Sequence, residues 1–200
     1  YPDGGVHPTA NITRAEVSAI FYRLLSVDAR KQYAATSSSF ADANKSWAAA
    51  EIATLTNAGI LKGYTDGSFR PNAAITRAEF ASIAARFDKL SGGNKTFSDV
   101  PSNHWAYAAI TSAAEKGWVN GYSDGTFRPS NAITRSEVVK ITNAVLGRSC
   151  DKDYVAKNIS KLTSYNDLSN TYWAYYDILE ASNAHDYKTA SGVESWTGLK

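Results

Sequence analysis

Three arginines occupy the same place in three short segments: Arg14 in "ITRAE" at 12–16, Arg77 in "ITRAE" at 75–79 and Arg135 in "ITRSE" at 133–137. The surrounding Thr-x-x-Glu spacing is that of a helix capping box. Thr13 with Glu16, Thr76 with Glu79 and Thr134 with Glu137 thus predict three helix starts. In each, the threonine accepts from the amide three residues on and the glutamate reaches back. The arginine has no part in that arrangement. A helix N-terminus behaves as about half a positive charge, so a cation in the first turn is unfavourable by ~0.3–1 kcal/mol. Two chemistries would account for it. One is a salt bridge to Asp66 or Asp124 of a turn, or to a glutamate of another copy. The other is an anion site, where a guanidinium fork and free helix-end amides hold a carboxylate or phosphate. A charged contact of that kind contributes ~1.5–3 kcal/mol.

Little else in the chain offers chemistry. His7, His104 and His185 are the only histidines, and none forms a His-Glu-x-x-His pair, so no metal site is expected. Cys150 is the only cysteine; it can form no intrachain disulfide and reads as incidental. Neither a Gly-rich phosphate loop nor a Gly-x-Ser-x-Gly elbow is present. Paired carboxylates hydrolyse glycosides, but the repeated glutamates are committed to capping and the turn aspartates to turn geometry. The chain reads as a non-enzymatic module without a cofactor.

The bulk numbers bound the partners. Two hundred residues, 44% hydrophobic and 20% charged, describe a globular chain of one domain or two small ones. A formal charge of +2, from 21 basic and 19 acidic residues, is too balanced for a nucleic-acid binder. No apolar run approaches the roughly 20 residues that span a bilayer, which argues against membrane insertion. The chain lacks methionine and opens at Tyr1, which reads as a processed chain or excised fragment. Twelve Tyr, seven Phe and five Trp suit either a packed core or sugar-stacking surfaces.

Internal repetition organises the whole. "GYTDGSFRPNAAITRAEF" (63–80) recurs as "GYSDGTFRPSNAITRSEV" (121–138), and "YPDGGVHPTANITRAEV" opens the chain with His7 where the others have Arg70 and Arg128. A second segment also occurs three times, as "FADANKSWAAAEI" (40–52), "FSDVPSNHWAYAAI" (97–110) and "YNDLSNTYWAYYDI" (165–178). Residues 1–25 are the second half of unit one, 40–90 are unit two and 97–146 unit three. A connecting loop, 147–164, leads to the first half that completes unit one, 165–200. Docking of the terminal halves would close a pseudo-threefold ring in a monomer. The rival arrangement pairs each orphan half with a neighbouring molecule in a swapped oligomer.

The expected fold is all-α. In the second halves, Asp-Gly turns and Pro71 or Pro129 precede the capped helices. Ile75 and Phe80 form a hydrophobic staple, repeated by Ile12/Val17 and Ile133/Val138. The helices carry narrow apolar stripes (Val17, Ile20, Phe21, Leu24; Phe80, Ile83, Phe87, Leu90; Val138, Ile141, Val145) that suit a central three-helix bundle. The first halves read as shorter helices, with Trp47, Ile52 and Leu55 near one face, ending at Gly59 and Gly117. The last copy has His185 at that place.

The combined Trp-Ala, Gly-Tyr-x-Asp-Gly-x-Phe-x-Pro and Ile-Thr-Arg-Ala-Glu signature resembles the S-layer homology family over nearly all the chain except 26–39 and 147–164. That resemblance implies an extracellular bacterial module, at the cell wall or cell surface, of three units around a helical core. It implies noncovalent binding of a secondary cell-wall polysaccharide, often pyruvylated and hence anionic, in grooves between units. The family's motif arginine maps onto Arg14, Arg77 and Arg135. Sugar sites also favour aromatic faces: Tyr64 and Tyr122 beside the turns, and Trp47, Trp105 and Trp173, for which a core role is equally open. Asp66 and Asp124 complete the candidate ligand-binding set. Direct binding to peptidoglycan, or a protein-assembly role joining surface-layer subunits, is the alternative. Departures from the family pattern are Ser136 for alanine, His7 for arginine and the half-unit offset. Trp118 and Trp196 have no counterparts in other copies and receive no role. On this reading Thr76→Ala lowers stability by ~1 kcal/mol in thermal melts, whereas Arg77→Ala weakens glycan binding at unchanged stability.

Overall fold

The computed structural model describes residues 1–89, 92–190 and 193–200. Eight α-helices run in chain order among these residues: α1 (Arg14–Leu24), α2 (Val27–Gln32), α3 (Ala49–Asn57), α4 (Arg77–Phe87), α5 (Tyr107–Glu115), α6 (Arg135–Leu146), α7 (Lys152–Asn158) and α8 (Tyr175–Ser182). They are followed by an antiparallel hairpin, β1 (His185–Ala190) with β2 (Val193–Leu199). Leu90, placed on an apolar stripe above, lies outside the described residues. The chain forms two compact bodies, a central one of Asn11–Ile133 and a terminal one joining Tyr1–Ala10 to Thr134–Lys200.

In the central body α1 packs on α3 and α4 on α5. Phe21 of α1 meets Phe80 and Phe87 of α4 at ring separations of 5.8 and 5.3 Å. Thr13 and Thr76 each open their helix with a complete capping box. The residue ahead of each cap is extended but has no strand of its own to pair with. Its backbone groups are satisfied in a triangle instead: Ile12 N–H donates to Ile133 O (3.2 Å), Ile75 to Ile12 (3.0 Å) and Ile133 to Ile75 (3.0 Å). All three isoleucines are buried, so these exchanges occur away from water, where an unmet amide would be costly.

The turns ahead of the triangle are held by aspartates of the first halves. Asp42 accepts from the amides of Phe69 (3.0 Å) and Arg70 (2.7 Å), and Asp99 from those of Phe127 and Arg128 (both 2.7 Å). Arg70 and Arg128 have φ of 59° and 58°, a left-handed backbone that disfavours a side chain by roughly 1–2 kcal/mol. The carboxylate offsets that strain with two charge-assisted bonds. Gly63 and Gly121 are needed for a different reason. A Cβ at Gly63 would collide with the ring of Phe40, and one at Gly121 with Phe97, the aromatics that open the two first halves.

The terminal body repeats this arrangement with pieces from both ends of the chain. Asp167 accepts from the amides of Val6 (2.9 Å) and His7 (2.8 Å), and His7 has φ of 50°. Here α6, opened by the Thr134–Glu137 capping box, packs on α8. Two expectations are corrected in this body. The loop 147–164 contains α7, capped by Asp151 (2.9 Å from Tyr154 N), and a 3-10 turn at Ile159–Lys161. The chain is mainly helical as expected, and the terminal hairpin is the one departure from all-α among the described residues. In α3 and α5 the chain reverses at Gly59 and Gly117, with φ of 74° and 73°. After α8 there is no such glycine; Asn183 is already extended (φ −116°, ψ 113°) and the chain runs on into β1. Val155, Leu162, Leu179 and Trp196 build a second core beneath the hairpin.

Burial alone would raise the Asp42 carboxyl, but the amides of Phe69, Arg70 and Ala43 together hold it below its ordinary value. Asp167 is likewise lowered, chiefly by the Val6 amide. A carboxylate with a depressed folded value stabilises fully above its unfolded value, near pH ~4, and loses that contribution as pH falls through the folded one. Stability is therefore expected to drop in acid below pH ~4. At neutral pH, Asp42→Ala should cost roughly 1.5 kcal/mol or more in thermal melts.

Candidate functional site

The motif arginines are built into the frame. Arg14 is buried (4% exposed), with Nε donating to Phe69 O (2.8 Å), Nη2 to Lys62 O (3.0 Å) and Nη1 to Glu79 Oε1 (3.2 Å). Its guanidinium lies 4.4 Å from the Phe69 ring and 4.8 Å from that of Tyr64. Arg77 is also buried, with Nε donating to Phe127 O (2.9 Å) and Nη2 to Asn120 O (2.8 Å). In the terminal body Arg135 Nε donates to Val6 O (3.0 Å), with the Tyr1 ring 4.8 Å from its guanidinium. Phe69, Phe127 and Val6 occupy equivalent positions of the turn motif. Each arginine therefore reaches from its own helix start to the turn of a different copy.

This geometry explains a cation at a helix N-terminus. The guanidinium extends away from the helix to carbonyl oxygens, and the helix-end amides are already engaged. Arg14 N and Ala15 N donate to Ala73 O and Pro71 O at 3.0 and 2.9 Å, and Glu16 N donates to Thr13 Oγ1. Arg77 and Ala78 repeat the pattern on Asn131 O and Pro129 O, and Arg135 and Ser136 on Ala10 O and Pro8 O. These helix-end amides thus bond to the chain's own oxygens. Ser136 adds a hydroxyl bond to Pro8 O (2.7 Å), which gives the departure from alanine a structural role.

Asp66 and Asp124 do not pair with the motif arginines. Asp66 accepts from Ser68 N (2.9 Å), Ser68 Oγ (2.6 Å) and Arg70 Nη2 (2.7 Å), all within its own exposed turn. Asp124 does the same with Thr126 and Arg128. The hydroxyl and amide of Ser68, followed by Arg70, hold Asp66 far below the carboxylate range; the equivalent partners take Asp124 to about 2. Tyr64 is half-buried between the guanidinium groups of Arg14 and Arg70, its hydroxyl on Glu79 Oε1 (2.5 Å). Tyr122 lies 3.8 Å from Arg128 and 5.0 Å from Arg77.

The tryptophans lie where helical spacing does not place them. Trp47, Trp105 and Trp173 are 64%, 64% and 54% exposed, while Ile52 and Leu55 are buried. Each tryptophan precedes the first helical residue by two, so the period of 3.6 does not extend to it. The following alanine, Ala48, Ala106 or Ala174, is the buried one.

A cleft of about 520 Å³ in the central body gathers residues of all three copies. Its walls include Arg14, Lys62, Tyr64, Glu79, Arg86 and Trp105. Arg77, Arg135, Tyr122, Trp47, Trp173, Asp66 and Asp124 are not in its lining. Three cations thus stand against one carboxylate, and Glu79 is already bonded to Arg14, Tyr64 and its own cap. Burial first, and the positive charge of Arg14 second, lower the Arg86 guanidinium. An incoming anion would relieve that repulsion. Lys62, Arg86 and His104 were missed in the sequence because none recurs in every copy; the signal was singular, whereas the motif residues were found by repetition.

The S-layer homology domain model matches residues 39–81 and 96–139, and the chain belongs to that family. It is 39% identical, over its whole length, to Cell surface glycoprotein 1 of Acetivibrio thermocellus, of which it spans 9%. It is 37% identical over 94% of its length to the Cellulosome-anchoring protein of the same organism, spanning 42% of that protein. A third relative, Exoglucanase XynX, is 34% identical over 74% of the chain and is matched along 14% of its own length.

The arginine contacts revise the expectation that its removal spares stability. Arg14→Ala should lower the unfolding free energy by about 3 kcal/mol in urea titrations, because it takes the cation from a half-buried carboxylate and the donor from two carbonyls. Arg14→Lys should recover little of it, since a point charge cannot serve the three acceptors that the planar fork reaches.

Proposed function

We propose that this chain is a non-catalytic cell-surface anchoring module, and that it holds an anionic secondary cell-wall polysaccharide, pyruvylated in the expected case, in the cleft of the central body. The observation that carries the reading is the cleft's composition: Lys62, Arg86 and Arg14 around a space of about 520 Å³, with the exposed indole of Trp105 on its wall. That volume lies within the ~300–1,000 Å³ usual for ligand sites. A carboxylate on a sugar ring would meet the cations while the apolar face of the ring stacks on the indole. Arg14 acts here through position. It fixes Tyr64 and Glu79 and adds positive potential, while the more accessible Lys62 and half-buried Arg86 supply the contacts.

The docking of the two chain ends within the terminal body belongs to the same proposal. It is supported by the bonds of Asp167 to the N-terminal turn, which favour a monomer over a swapped oligomer. The names of the relatives, a surface glycoprotein and a cellulosome-anchoring protein, agree with an extracellular location at the wall.

The test is sedimentation with purified cell wall, before and after extraction of its non-peptidoglycan polymer, together with calorimetry on a pyruvylated disaccharide and its uncharged analogue. Lys62→Ala and Trp105→Ala should each weaken binding about tenfold, or ~1.4 kcal/mol, at unchanged melting temperature. Added salt should weaken the wild type. Equal retention on extracted wall would reject the polysaccharide in favour of peptidoglycan, and oligomerisation without glycan affinity would favour assembly.

A further inference from the structure

The terminal body buries a polar cluster with no counterpart in the other copies. Glu180 of α8, His185 at the start of β1 and Glu194 of β2 are all at most 6% exposed. One ligand-type atom from each lies within 4.8 Å of the other two. Glu180 Oε1 stands 3.4 Å from His185 Nε2, and Glu194 Oε1 stands 3.9 Å from it.

What distinguishes the cluster from a chance meeting of charges is how each group is tethered. Glu180 Oε2 accepts from the indole Nε1 of Trp196 (3.0 Å) and Glu194 Oε2 from the amide of Ser149 (2.7 Å). The other oxygen of each, Oε1, is buried and has no hydrogen bond to the frame; that of Glu180 is ion-paired with Arg148, and that of Glu194 faces the histidine. His185 Nδ1 lies 2.7 Å from the carbonyl of Asn183, which can only accept, so Nδ1 is the donor there and Nε2 is the ring atom that faces the two carboxylates. The ring is further fixed by stacking on Trp196 at 3.8 Å. Each side chain therefore has one atom bound to the frame and one aimed at a common point. Tethering of this kind orients metal ligands and sets the histidine tautomer.

We propose that Glu180, His185 and Glu194 form a site for a divalent transition-metal cation, zinc being the ion that a set of one imidazole and two carboxylates suits best. The ion fastens the hairpin to α8. Zinc–ligand bonds of about 2.0–2.2 Å require the three atoms to draw together to roughly 3.3–3.5 Å. His185 and Glu180 already meet that spacing, and Glu194 must close on them. One cation now stands there: Arg148 Nη2 lies 2.7 Å from Glu180 Oε1 and 3.4 Å from His185 Nε2. Its side chain is 29% exposed and its buried Nε is unbonded, so it can swing outward when a metal enters.

The experiment is zinc titration of the chelator-stripped 200-residue chain by calorimetry, with cobalt substitution read in the visible spectrum and magnesium as a control. Saturable binding of one zinc per chain is expected, with a higher melting temperature and tetrahedral cobalt bands. Glu194→Gln and His185→Gln should lose affinity by on the order of 100-fold, while circular dichroism reports whether the fold is kept. Arg148→Ala supplies the independent arm, since removal of the competing cation should tighten zinc binding. No saturable binding by the wild type, equal zinc affinity in Glu194→Gln and His185→Gln (which would place the ion elsewhere, Cys150 included), or weaker binding in Arg148→Ala would each overturn the proposal.

Discussion

The structure depends on a guanidinium meeting a backbone carbonyl of another copy. Arg14 to Phe69, Arg77 to Phe127 and Arg135 to Val6 are bonds between a helix start and a turn that lie far apart in sequence. A carbonyl oxygen is a modest acceptor in water but a strong one for a buried cation, so each bond is worth more than its exposed equivalent. The same guanidinium packs against the aromatic of the turn, or in the terminal body against Tyr1, and thereby fixes a ring as well as a loop. The dipole penalty at the helix N-terminus is small beside these contacts.

A second constraint makes the halves interdependent. The turn before each capped helix holds a non-glycine residue in the left-handed region, and an aspartate from a first half keeps it there. A second half alone would carry the strain without the carboxylate. A first half alone would leave the carboxylate without its amides. Each of the three turns has its aspartate: Asp42, Asp99 or Asp167. The left-handed residue also precedes a proline in all three turns, where right-handed helical backbone is disfavoured.

Repetition made the helices, caps and turns legible, since a motif present three times separates its structural residues from background. What repetition could not convey was the destination of a side chain. The sequence leaves the arginine facing a ligand or an acid; at Arg14 the acid is Glu79 of another copy, but the other two hydrogen-bond partners are carbonyls, which carry no mark in a sequence. The tryptophans were assigned to helical stripes because the helix was begun two residues early. The hairpin was missed because the last copy starts like the others and diverges only where His185 replaces the turn-forming glycine. Trp196 and Glu194, which hold that hairpin to the core, had no counterpart to compare with.

The same reasoning separates the repeated frame from the residues that line the cleft. Residues common to the copies have internal partners: the capping pairs bond each other, Arg14 bonds Glu79 and two carbonyls, and the turn aspartates bond within their turns. Residues that differ between copies are the ones that charge the cleft. Lys62 corresponds to Asn120 in the next unit, and Arg86 to Ala144, with only Arg23 of the first copy keeping the charge. The local frame can recur from copy to copy because many of its bonds run through main-chain atoms, which leaves the lining side chains free to diverge.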